Sequence, residues 1–123
     1  MKKFNLMDYN RMCAELLGFI NTTPTDKDFN IHEHPSGVLG RTMIETNFTD
    51  VFTKDWNWIM EVVEKIKILK CVREITIAGT GVMFYVDETG RHFFPFEKDI
   101  KEAVVKGIWE FLNWYNESKN NSN

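Results

Sequence analysis

The chain has 123 residues, 43% of them hydrophobic, 14% aromatic and 27% charged, with a formal charge of -3. This length suits a single domain over residues 1–123, and the aromatic content excludes disorder except at the ends. Fifteen Lys and Arg against 18 Asp and Glu leave no basic excess for gripping duplex nucleic acid through its phosphates.

Near the start, Lys2 and Lys3 are followed by Asp8, Asn10 and Arg11, not by the run of about 7–15 apolar residues that a signal peptide requires. No stretch approaches the roughly 18 apolar residues of a membrane helix. A cytoplasmic protein is expected, with Cys13 and Cys71 as buried thiols on apolar faces and not as a disulfide.

The first helix is expected from Asp8 to Leu17, where Tyr9, Met12, Cys13, Leu16 and Ile20 recur at helical spacing and Gly18 is placed to end it. From Phe19 to Thr53, Pro24, Pro35, Gly37 and Gly40 break the pattern, leaving room for short strands at Phe29 to Glu33 and Arg41 to Asn47. A second helix follows, with Thr53 as a cap and Asp55 in its first turn. Trp56, Ile59, Met60, Val63 and Ile66 form one face, and Trp58, Val62 and Leu69 widen it to roughly 200° of arc.

Arg73 to Ala78 and Val82 to Val86 flank Gly79-Thr80-Gly81 as a hairpin, and Arg91 to Phe94 adds a third strand. Asp99 and Glu102 have capping-box spacing before the last helix. Its face is Ile100, Ala103, Val104, Gly107, Ile108, Phe111 and Tyr115, with a polar, frayed tail from about residue 117. Gly107 within that face marks a close approach to the sheet. The expected architecture is α+β, with three helices packed on a small, mainly antiparallel sheet. Its order is helix, short strands, helix, three-strand meander, helix.

His32 and His34 alternate toward one face if their segment is a strand, and His92 is then the weak third candidate for a metal. The plainer reading is a solvated loop, so no metal and no cofactor are expected. Gly79-Thr80-Gly81 lacks the Lys-Ser/Thr end of a phosphate loop, no serine sits in a nucleophile elbow, and Cys13 lies inside a helix face. An enzyme is not expected. Trp109 lies off its helix's main face with Val105 and Leu112 at its shoulder, and Trp58 off the other, which makes these four residues candidate partner-binding anchors. Packing under a neighbouring segment would account for them equally well.

Three stretches carry a resemblance: Asp8-Tyr9-Asn10-Arg11-Met12-Cys13-Ala14-Glu15-Leu16-Leu17-Gly18-Phe19, then Asp55-Trp56-Asn57-Trp58-Ile59-Met60-Glu61-Val62-Val63-Glu64-Lys65-Ile66, then Lys101 to Val105 with Phe111-Leu112-Asn113-Trp114-Tyr115-Asn116. Together they resemble small proteins encoded by phages and prophages of Bacteroidetes-type bacteria. More remotely, the arrangement is similar to the phage ABA-sandwich domain, with helices on either side of a sheet. The matching positions are core and helix positions, so the resemblance implies a fold and a mobile-element origin but no catalytic or ligand-binding residue. It implies an accessory protein that occupies a host protein, possible targets including a nucleic-acid-handling defence enzyme blocked in the manner of an anti-CRISPR. The alternative is a protein that binds or sequesters a nucleotide signal through Arg41, Arg73, Arg91 and His92. A third reading is an RNA-binding module that stacks bases on Phe84, Tyr85 and Phe93.

Overall fold

The computed structural model describes residues 3–23, 25, 30–33, 43–86 and 91–121. Its elements are α1 (Leu6–Leu16), β1 (Ile20–Asn21), β2 (Ile31–Glu33), β3 (Met43–Glu45), α2 (Val51–Lys54), α3 (Trp56–Lys67), β4 (Val72–Ala78), β5 (Gly81–Val86), β6 (Arg91–Phe93) and α4 (Ile100–Asn121). The α+β class is as expected. Two antiparallel three-strand sheets, β1-β2-β3 and β4-β5-β6, take the place of one. The chain falls into two compact units, Lys3–Val62 and Val63–Asn123, and α3 contributes residues to both.

In the Lys3–Val62 unit, α1 starts two residues before the expected position because Asn5 caps it, its side chain accepting from Asp8 N at 3.0 Å. It ends where expected. Gly18 takes φ 90°, Gly18 N donates to Glu15 O and Phe19 N to Ala14 O, the bond pair of a Schellman turn. Both short strands of the irregular segment are present, and β1 is an addition that joins β2 through Asn21 and His32. Tyr9 is fully buried and ties α1 to α2 through its hydroxyl, which donates to Phe52 O at 2.8 Å.

The helix expected from Thr53 is broken at Asp55. Thr53 lies inside the single turn α2, and Asp55 caps α3, its side chain accepting from Asn57 N at 2.9 Å. The face that α3 buries is Trp58, Ile59, Val62, Val63 and Ile66, whereas Trp56, expected on it, is 37% exposed.

In the Val63–Asn123 unit, β4 and β5 meet at a two-residue turn, shorter than expected, with Ala78 opposite Gly81 and Gly79 at φ 60°. Register places Ile75 against Phe84, Ile77 against Val82 and Phe93 against Phe84, so these side chains share the face that α4 covers. There Phe84 stacks on Phe111, and Phe93 meets Phe111 edge-on. Gly107 does mark the close approach: a Cβ there would lie 2.5 Å from Phe84 Cε1 and 3.1 Å from Val82 Cγ1. Asp99 caps α4 by accepting from Lys101 N at 2.7 Å, and the helix continues through Asn121, past the tail expected from 117.

Among the described residues no helix is long and apolar enough to cross a membrane.

Candidate functional site

The face of β4-β5-β6 turned away from α4 has a surface unlike a solvated sheet. Alternation along β5 puts Gly81, Met83 and Tyr85 on this side, and the cross-strand partners bring Ala78, Thr76 and Glu74 from β4 and His92 from β6. The register of β5 with β6 continues past Phe93, with Phe96 bridging Gly81, Val82 N donating to Pro95 O at 3.2 Å and Glu97 N to Thr80 O. Pro95 has no N–H to return to β5, which accounts for β6 ending early although its path goes on. Phe94 and Phe96 therefore emerge on the outer face, side by side at 5.0 Å between ring centroids.

They stay exposed, Phe94 at 53% and Phe96 at 63%. Phe96 lies flat enough over Gly81 that any Cβ there would collide with its ring. The two rings border a groove of about 250 Å³ lined by Thr76, Ala78, Gly81, Met83 and the rings themselves. The other end of the face is polar and aromatic. Tyr85 and His92 are in ring contact at 4.4 Å, and the Arg73 guanidinium, carried by a register shift between Val72 and Glu74, lies 5.5 Å from the Tyr85 centroid. One face thus offers an apolar groove beside a cation–π cluster.

The anchors expected from the sequence lie elsewhere. Trp58 is 3% exposed, packed on Phe19 and edge-on to Phe52, and Trp109 is also 3% exposed, with Leu112 buried and Val105 half-buried. Of the two readings the sequence left open for these tryptophans, the structure gives the packed one: both helices are buried over more than one stripe, so an off-centre tryptophan is still inside. Phe84 and Phe93, expected as stacking rings, are core residues; Tyr85, one residue along, points the other way. Arg73 and His92 are brought together on Tyr85, while Arg41 and the side chain of Arg91 lie outside what the structure describes. Phe94 and Phe96 were not among the sequence candidates, although counting by twos from Tyr85's partner His92 reaches both.

His32 is 1% exposed in the Lys3–Val62 unit, its Nδ1 3.1 Å from Thr46 Oγ1. It belongs to a buried polar group with Asn10, Asn30, Thr46 and Asn47, not to a solvated loop. His34 lies outside the described residues, and His92 belongs to the outer sheet face of the other unit. Among the described residues no three His, Cys, Asp or Glu side chains group as metal ligands. Burial pushes the Cys13 thiol far above its ordinary value, so it is packing and not a nucleophile. Cys71 is half-buried, more open than expected, and neither cysteine is in a disulfide. No protein-family model matches the chain, and neither the curated proteins nor the solved structures yield a match.

Proposed function

We propose that this is a non-enzymatic binding module that docks a host protein on the outer face of β4-β5-β6 and acts in the bacterial cytoplasm. The observation that carries the reading is the pair Phe94 and Phe96, more than half exposed beside an almost wholly apolar groove. Solvent-facing aromatic rings around an apolar cleft match the chemistry of interface hot spots, where a partner's side chain fills the cleft and a polar rim excludes water. Tyr85, His92 and Arg73 supply that rim here. The resemblance of the helices to phage and prophage proteins supports a counter-defence target, a nucleic-acid-handling enzyme inhibited in the manner of an anti-CRISPR.

The test is affinity purification from a host of that lineage with the wild type and Phe94→Ser. Phe94 is the better probe because Phe96 also covers Gly81. A stoichiometric host protein should accompany the wild type and be lost with Phe94→Ser, whose melting temperature stays at the wild-type value. Retention of the same complex by the variant would sink this reading.

The contact of Arg73, Tyr85 and His92 favours a second reading, a planar anionic ligand such as a nucleotide signal stacked on that end of the face. A panel of dinucleotides should then raise the melting temperature by mass action. RNA is the third reading, with Tyr85, His92, Phe94 and Phe96 as the stacking rings.

A further inference from the structure

Resting on the docking reading of the outer sheet face, we infer that the partner contributes an extended segment. It adds antiparallel to the free edge of β4 and lays a long apolar side chain into the groove. β4 is an edge strand, with β5 on one side and no strand on the other among the described residues. Val82 N donates to Pro95 O, on the side of β5 away from β4. A strand residue points its N–H and C=O the same way, so Ile77, the register partner of Val82, turns both groups outward, and Ile75 does so two residues back. Neither has another backbone hydrogen bond among the described residues. β4 also holds no Pro or Lys, the residues that commonly close an edge, and its register shift is confined to its start, between Val72 and Glu74. Outward groups alternating at roughly 7 Å are matched in full only by another extended chain.

The side chains of the outer face say what that chain must carry. One row across the sheet runs from Phe96 through Gly81 to Ala78. Only a Cα hydrogen and a methyl group therefore stand between the Phe96 ring and the β4 edge along this row. An added strand lengthens the row by one, about 5 Å beyond Ala78. A Phe, Met or Leu facing Ala78 can lean over it toward the ring, into the groove that Ala78, Gly81 and Phe96 help to line. Four residues away on the same face, Glu74 is exposed and has no ion pair among the described residues. A Lys or Arg facing it completes the charge match. This is strand addition in which main-chain bonds supply the hold and alternate side chains the selectivity.

A second copy of this chain fits the edge less well. Paired antiparallel, its β4 sets Val72, Glu74, Thr76 or Ala78 opposite Ala78, none of them long and apolar, or else sets Glu74 against Glu74.

The probe is a capped peptide, Ser-Phe-Val-Thr-Val-Lys-Ser, titrated into the isotope-labelled wild-type chain. In the free chain the Ile75 and Ile77 amides should exchange with solvent faster than that of Thr76. The peptide should slow both, by about tenfold at nine-tenths saturation. The same peptide N-methylated on both valines keeps every side chain but not the strand bonds, and should slow neither. Equal binding of the methylated peptide, or no binding at millimolar concentration, overturns the inference. So does protection of both amides in the free chain, which at rising chain concentration would mark a second copy.

In affinity purification, Ile77→Pro removes an N–H that the β4–β5 ladder does not use and should lose the host protein while keeping the wild-type amide spectrum elsewhere. A complex lost with Phe94→Ser but kept with Ile77→Pro overturns strand addition and leaves the docking face standing, whereas one kept with both removes the docking face itself. The peptide readings are made on the wild type, so they decide the matter even where Ile77→Pro does not fold.

Discussion

At the scale of single residues, the most consequential side chain is His32, buried and neutral within a polar network. Burial lowers its pKa from 6.5, the Arg11 charge lowers it further, and Glu45 offsets part of the effect. The unfolded chain therefore takes up a proton at His32 in a range where the folded chain does not. Stability from this group is fully present above about pH 6.5 and is lost as the pH falls below it toward the depressed folded value. Urea midpoints measured down through that range should fall for the wild type and fall less steeply for His32→Asn. Equal slopes for the two proteins would show that His32 does not titrate on unfolding. Little of this was legible in the sequence: His32-Glu33-His34 beside Pro35 has the composition of a surface loop. Its partner inside is Thr46, fourteen residues away, which no local pattern connects to it.

At the scale of elements, the caps and turns were the most legible features because their chemistry is local. Asp99 before α4 and Gly18 after α1 do what their residue types dictate. Asp99→Ala should cost about 1 kcal/mol in a denaturant melt, the usual worth of an N-cap. Thr53 and Asp55 illustrate the opposite case, where two eligible caps stood two residues apart. Asp55 takes the cap of α3, and Thr53 is left inside the turn before it. Gly107 sets two effects against each other. Alanine there gains about 1 kcal/mol of helix propensity, but its Cβ would meet the fully buried Phe84 ring, and overpacking of a closed core typically costs about 1–3 kcal/mol. The steric cost should prevail, and Gly107→Ala should melt below the wild type. A higher melting temperature would mean that the Phe84 ring yields.

At the scale of the whole molecule, the class and the order of the large elements were legible from helical and strand periodicity. That periodicity did not tell which apolar residues face inward, because α3 and α4 are apolar around more than half their circumference. Trp58→Ala and Trp109→Ala should each cost about 3–5 kcal/mol, as large core truncations do, whereas Phe94→Ser should leave the melt nearly unchanged. The reverse ranking would restore the tryptophans as surface anchors. The outer sheet face escaped notice because it is composite: Phe94 and Phe96 become neighbours of Tyr85 and Met83 only once the strands pair in register. The contact of Gly107 with Phe84 also bears on how this molecule can change over time. Neither position can gain bulk alone, yet a smaller residue at 84 would make room for a side chain at 107. Phe84→Leu together with Gly107→Ala should therefore be milder than the two separate effects combined. Across natural variants of the chain, a large residue at one position should accompany a small one at the other, so the pair evolves as a single volume.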